Sequence, residues 1–290
     1  MDPIFKTYLQ EGQMAGSQYR ISIPPRLARG NSGDHLGHRA GSSLEFLDHR
    51  NYQMGDDLRR IDWHAYARTD KLTMKLFREE VSPHVDIILD GSQSMQLAES
   101  EKVRGALGVA SILTQAASRS GYSHNGWLVK DGITPIVNGK ESGALWDNLS
   151  FNGNVPLVDQ VSRSAVLFKP RGIRVIISDL LWMGNPLSLL TRLSDQASMV
   201  VVVQILAKTD VDPQIRGNLR LVDSETNKIN EMFVDAQMLD RYQRRFQAHQ
   251  ENWHRATRQV GAIMTTLIAE DIVDAWHLDA LIAARVLEVA

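Results

Sequence analysis

The stretch Val85-Asp86-Ile87-Ile88-Leu89-Asp90-Gly91-Ser92-Gln93-Ser94-Met95 decides the fold of this chain. An apolar run of strand length ends in a carboxylate, and two hydroxyls follow at a spacing of two residues. In an open parallel sheet, ligands collect in the loops that leave the carboxyl ends of the strands. Oxygen-only donors of this kind suit the hard ions Mg²⁺, Mn²⁺ and Ca²⁺. Asp90, Ser92 and Ser94 are therefore candidate metal ligands, and they point to ion-mediated binding ahead of catalysis. In the competing reading the same residues only cap the helix that follows.

Downstream of this stretch the pattern alternates between helices and short buried strands. Val103, Ala106, Leu107, Ala110, Leu113 and Ala117 share one face at helical spacing, which predicts an amphipathic helix over 102–119. Strands are expected near Gly126–Lys130 and Ile133–Val137, joined by a turn at Asp131-Gly132. The β-branched runs Ile173–Ile177 and Met199–Leu206 read as fully buried parallel strands. The first of these ends in Ser178-Asp179, so a second carboxylate leaves a neighbouring strand at the same edge and Asp179 joins the candidate ligands. An edge hairpin over 219–222 and 229–234, a charged helix over 236–259, a strand near 263–268 and a terminal helix from Ile272 complete the order. The alternation predicts an α/β fold, a doubly wound, mostly parallel sheet with an antiparallel edge.

Residues 1–80 differ in texture. Gly30, Gly33, Gly37 and Gly41 punctuate a segment with little helical period, which reads as a loop-rich lead-in packed on a core domain over 81–290. Within it Lys71–Phe77 alternates as a strand, expected to pair near Val85–Leu89 across Pro83. The block Gly55–Arg68 crowds Asp56, Asp57, Arg59, Arg60, Asp62 and Arg68 around Trp63. Such a mixture reads first as a buried ion-pair brace docking the lead-in on the sheet, and second as acid–base or metal chemistry.

Composition removes whole classes. The chain has 290 residues, 43% apolar and 23% charged, as a soluble globular protein does. A net charge of −2 and a pI near 6.5 give no field for nucleic acid or anionic lipid. No cysteine is present, which excludes disulfides, iron–sulfur clusters and thiol chemistry. No window reaches the roughly 18 apolar residues of a membrane span, and no leader pattern opens the chain, so a cytoplasmic location is expected. His35 and His38 lack the companions of a zinc site, Gly30–Gly41 lacks the order of a phosphate loop, and no G-x-S-x-G elbow surrounds Ser92 or Ser94. Arg241, Arg244, Arg245 and Arg255 with Tyr242 and Trp253 give a basic, aromatic-bearing helix, but Asp240, Glu251 and the near-neutral total charge favour a solvated helix face over an RNA site.

A resemblance carries the reading further. Gly41-Ser42-Ser43-Leu44-Glu45-Phe46, then Arg50-Asn51-Tyr52-Gln53-Met54-Gly55-Asp56-Asp57-Leu58-Arg59-Arg60-Ile61-Asp62-Trp63, then Ala67-Arg68, Leu72, Lys75 and Glu79-Glu80, is similar to the signature of the bacterial domain of unknown function 58 family. The Asp90–Met95 run follows at that family's distance. The resemblance is dense over residues from about 38 to 95, with Ser178-Asp179 as a further anchor.

It implies a von Willebrand factor A-like domain with a metal-ion-dependent adhesion site, behind the family's own N-terminal segment. It also implies a MoxR-type AAA+ ATPase, or its client, as partner. Asp90, Ser92, Ser94 and Asp179 match the first and last ligand loops of such a site. The middle loop departs from it: Asn152-Gly153-Asn154-Val155-Pro156-Leu157 has no hydroxyl where the pattern has threonine, and Asn154 offers an amide oxygen instead. The expectation is a non-enzymatic interaction module using Mg²⁺, Mn²⁺ or Ca²⁺. Its rivals are a metal-assisted phosphohydrolase and a metal-free scaffold.

Overall fold

A computed structural model describes residues 2–22, 46–77, 83–97, 100–164, 166, 168–222 and 228–290. The chain forms two compact units, one of Met1–Ala28 with Pro83–Ala290 and one of Arg29–Ser82. In chain order, α1 (Pro3–Gly16) and β1 (Tyr19–Ile21) precede the smaller unit, which holds β2 (Phe46–Asn51), α2 (Trp63–Thr69) and β3 (Thr73–Phe77). The larger unit continues with β4 (His84–Asp90), α3 (Lys102–Arg119), β5 (Ser123–Val129), β6 (Ile133–Pro135), α4 (Leu157–Arg163) and β7 (Ile173–Ser178). Then come α5 (Pro186–Ser194), β8 (Met199–Leu206), α6 (Lys208–Val211), β9 (Gly217–Val222), β10 (Ile229–Val234) and α7 (Ala236–Val260). The chain closes with β11 (Ile263–Ile268), α8 (Ala269–Ile272), α9 (Asp279–Ala283) and β12 (Leu287–Val289).

A six-stranded sheet of order β11-β8-β7-β4-β5-β6 forms the centre, parallel except where β6 returns along β5. The chain winds from β4 outward to β6 and then crosses to β7 and outward to β11, so the winding reverses between β4 and β7. Helices cover both faces, and this explains the unbroken apolar runs of the central strands. Val85, Ile87 and Leu89 join α1, α3, Trp146 and Trp276 in one core. Ile88, Ile176, Val200 and Val202 join α5, Trp182 and Trp253 in the other. The expected edge hairpin forms, but β9 and β10 make their own two-stranded ribbon, and the antiparallel edge of the central sheet is β6.

The lead-in expected over 1–80 divides. Residues 3–21 are not loop: α1 lies along α3, and β1 pairs with β12. Asp2 caps α1 by accepting the Ile4 N–H, and Phe5, Leu9, Gly12 and Gly16 form its buried stripe. A Cβ on Gly12 would lie 2.3 Å from the Gly108 carbonyl oxygen, so glycine here lets α1 and α3 approach closely. The terminal helix expected from Ile272 is broken. Trp276 adopts a left-handed backbone (φ 53°) and sets its ring where a Gly108 side chain would be.

In the smaller unit β2 and β3 pair antiparallel, with Arg50 opposite Met74 and His49 opposite Lys75. This corrects the expected pairing of the 71–77 strand with β4, whose two sides are filled by β5 and β7. The Gly55–Arg68 carboxylates are braced, by partners from the two strands as well as from the block itself. Arg50 donates to both oxygens of Asp56 (2.7 and 2.6 Å), and His49 Nε2 lies 2.7 Å from Asp62 Oδ2. Asp62 also caps α2 by accepting the His64 and Ala65 N–H groups, while Trp63 is 59% exposed and outside the brace. His35, His38 and Glu79-Glu80, together with Gly41–Glu45 of the family signature, lie outside the described residues.

Candidate metal centre

The winding reverses between β4 and β7, so the carboxyl ends of these strands form the topological switch point, where α/β sheets bind ligands. Leu89 is in register with Ile177, which brings Asp90 beside Ser178. Asp90 is 2% exposed; its Oδ1 accepts the Ser92 N–H (2.9 Å) and its Oδ2 accepts the Ser178 hydroxyl (2.5 Å). The Ser92 and Ser94 hydroxyl oxygens are 3.0 Å apart, Ser92 buried and Ser94 half-buried. The turn expected to supply the middle loop runs alongside: the Gln93 N–H donates to Gly153 O and the Gly153 N–H to Gly91 O, both at 2.9 Å. A Cβ on Gly153 would stand 3.1 Å from Gly91 O, which suits glycine to this close approach. Asn152 and Asn154 flank it and are exposed.

Asp179 follows β7 directly and is 1% exposed. Its Oδ1 accepts the Leu181 N–H (3.2 Å) and its Oδ2 accepts from Lys102 Nζ (2.9 Å). The intervening Leu180 is left-handed (φ 58°), a conformation that costs a branched side chain on the order of 1 kcal/mol. Its N–H donates to the Ser178 hydroxyl (3.0 Å), and His249 Nε2 of α7 lies 2.7 Å from its carbonyl oxygen. Strain held by several partners is typical of functional loops.

Lys102 and Asp210 are the site residues that the sequence reading lacked. Lys102 is fully buried and also lies 3.3 Å from Asp210 Oδ2, beyond the end of β8. A signal for Lys102 existed: it precedes Ala106 by four residues and so falls on the apolar stripe of α3. No comparable signal marks Asp210.

The charges are unevenly balanced. Burial, then the nearby Asp179 charge, push the Asp90 carboxyl up to about 6 against the hydrogen bonds from Ser178 and Ser92. Burial pulls the Lys102 ammonium down, but Asp179 and Asp210 together outweigh it, and its pKa rises above the ordinary lysine value. Among the described residues Asp90 has hydroxyl and amide partners and no such cation. This donor set fits a small hard dication, since Ser92 and Ser94 would offer neutral oxygens and a cation beside Asp90 would relieve its burial. Among the described residues no three His, Cys, Asp or Glu side chains gather round one point, so such a site would depend on hydroxyls.

The amino-terminal ends of β4 and β5 carry another polar chain. His84 Nδ1 lies 2.8 Å from Ser123 Oγ, and its Nε2 lies 3.2 Å from Asp86 Oδ1, which also accepts from Trp127 Nε1 (2.8 Å). The Ser123 N–H is donated to Pro83 O. These bonds tie β4 to β5.

Sheet order and switch-point residues together define a doubly wound α/β protein with an oxygen-rich switch point. The chain belongs to the family described as Protein of unknown function DUF58, whose model matches residues 48–252. Uncharacterized protein Mb1516 of Mycobacterium bovis and Uncharacterized protein Rv1480 of Mycobacterium tuberculosis are each 27% identical to it over 251 residues, 81% of this chain and 78% of the relative. Among solved structures it is similar to the conserved hypothetical protein BatB from Bacteroides thetaiotaomicron (TM-score 0.33, 10% identity, 66% of this chain and 95% of that one). A second is an aerotolerance-related membrane protein from Bacteroides fragilis (TM-score 0.36, 12% identity, the same coverage). Among the described residues no helix is long and apolar enough to cross a membrane.

Proposed function

We propose that the chain is a non-enzymatic interaction module of the von Willebrand factor A-like kind, which engages a protein partner through a divalent ion held by Asp90, Ser92, Ser94 and Asp179. The observation that carries this reading is the meeting of the Asp90 and Ser178-Asp179 strand tips at the switch point, with the two serine hydroxyls 3.0 Å apart. Neutral hydroxyls leave most of the ion's charge unspent, and carboxylates acting through water leave a coordination position open. A Glu or Asp on the partner would fill it. The resemblance makes a cytoplasmic MoxR-type AAA+ ATPase or its client the first partner to test, and Mg²⁺, Mn²⁺ or Ca²⁺ the ion. Asn154 would serve in place of the middle-loop threonine.

The test is capture of a purified MoxR-type ATPase on the immobilised chain. Retention with Mg²⁺ that is lost on chelation and in Asp90→Ala supports the proposal; retention indifferent to both rejects the ion mechanism. Two rivals each have an observation in their favour. The ammonium of Lys102 already pairs with Asp179, which favours a metal-free scaffold and entails no thermal shift with Mg²⁺ or Mn²⁺. An Asp90 carboxyl pushed up to about 6 approaches the range of a general base, which favours a phosphohydrolase. Mg²⁺-dependent phosphoester turnover abolished by Asp90→Asn would establish that activity.

A further inference from the structure

Lys102 stands where helix physics disfavours it. It is the first residue of the 18-residue helix α3, at the positive end of the helix dipole, and it is fully buried. A lysine in that place needs strong partners, and it has two: Asp179 Oδ2 at 2.9 Å and Asp210 Oδ2 at 3.3 Å. One directly follows β7 and the other lies in α6, the short helix after β8, and only Asp179 is a candidate ion ligand.

We propose that Lys102 is a tethered cation that competes with the divalent ion for Asp179, so that the centre exchanges between an ammonium-held form and an ion-held form. The inference rests on the ion reading above and adds a regulator to it. A dication beside Asp90 and Asp179 repels an ammonium already in contact with Asp179. The flexible four-carbon stem lets Nζ shift toward Asp210 without leaving the charge unpaired. Asp210 is thus the resting place that makes displacement feasible. Its Oδ2 also accepts the Ala207 N–H (2.9 Å), so occupancy of the ion site would be felt at the end of β8. Ion affinity is set below what the oxygen ligands alone would give, and a partner carboxylate that completes the ion's shell tips the exchange.

The experiment is calorimetric titration of the full chain with Mn²⁺ alone, at fixed pH and ionic strength. Lys102→Met is expected to bind Mn²⁺ at least about tenfold more tightly than wild type, within the 5–150-fold range typical of coupled sites. Asp210→Asn is expected to weaken binding in the wild-type background and to have little effect in Lys102→Met, because Asp210 acts through Lys102; independent field effects would instead add. Equal or weaker binding by Lys102→Met, with wild type still binding, overturns the competition and leaves the ion reading standing. No Mn²⁺ binding by any of these proteins overturns both. Should Lys102→Met fail to fold, Asp210→Asn against wild type decides: Asp210→Asn is expected to bind Mn²⁺ more weakly, and equal or tighter binding refutes the exchange.

Discussion

Asp90 gives the sharpest test of the energetics at the switch point. Its carboxyl rises from an ordinary 3.8 to about 6 on folding, through burial first and the Asp179 charge second. At about 1.4 kcal/mol per pH unit, the ionised form is destabilised by roughly 3 kcal/mol. The unfolded chain releases this proton first. Stability is therefore full below about 3.8, falls as pH climbs toward 6, and stays low above it, in the absence of a bound cation. Asparagine cannot ionise. Asp90→Asn should escape the loss, less roughly 1 kcal/mol for a poorer contact with Ser178. A net gain of about 2 kcal/mol corresponds to a rise of about 4–8 °C in melting temperature. Melts of both proteins at pH 5 and pH 7.5 in chelator would read it, and the difference between them cancels every other titrating group. Mg²⁺ should then stabilise the wild type at pH 7.5 and leave Asp90→Asn unmoved. The reasoning is refuted if Asp90→Asn is no more stable than wild type at pH 7.5, or if both proteins share one pH slope.

Other perturbations probe the frame that holds the site. A Cβ on Gly108 would come within 1.8 Å of Trp276 Cη2, so Gly108→Val should cost about 3 kcal/mol or more in urea unfolding and alter the near-ultraviolet signal of that ring. The buried Arg174 donates to the Leu193 and Asp195 carbonyls (2.6 and 2.7 Å) and stacks over Phe168, so Arg174→Met should destabilise by roughly 2–4 kcal/mol through the uncapped end of α5. In the smaller unit, the hydrogen bond from His49 is the first of several contacts that hold Asp62 down to about 2. Its contribution is present above the ordinary carboxyl range and lost as pH falls through 2. Asp62→Ala should speed proteolytic cutting around α2 at neutral pH, and an unchanged rate would contradict its role there.

Much of this was legible because the physics was local. The runs at 85–89, 173–177 and 199–206 must be buried on both faces, and residues 263–268 lie exactly where their pattern put a strand. Asp90, Ser92 and Ser94 end or follow such a run, so their position at the carboxyl end of a buried strand could be read without coordinates. What escaped depends on contacts distant in sequence. The helix over 3–16 buries its stripe mainly against α3, and β12 has no meaning without β1 at the other end of the chain. The strand at 73–77 alternates as a strand should, but alternation does not name a partner, and β2 claimed it. Lys102 was overlooked because a charged residue at the start of a helix ordinarily points to solvent.

The claim that a hydroxyl-rich ion site sits where β4 and β7 end is tested most directly by anomalous diffraction at the manganese edge from crystals grown with Mn²⁺. The expected result is a single peak roughly 2.0–2.6 Å from both Ser92 Oγ and Ser94 Oγ, the range of hard dications, with the Lys102 ammonium moved onto Asp210. A blank map at those strand ends, with the ammonium still between Asp179 and Asp210, would contradict it.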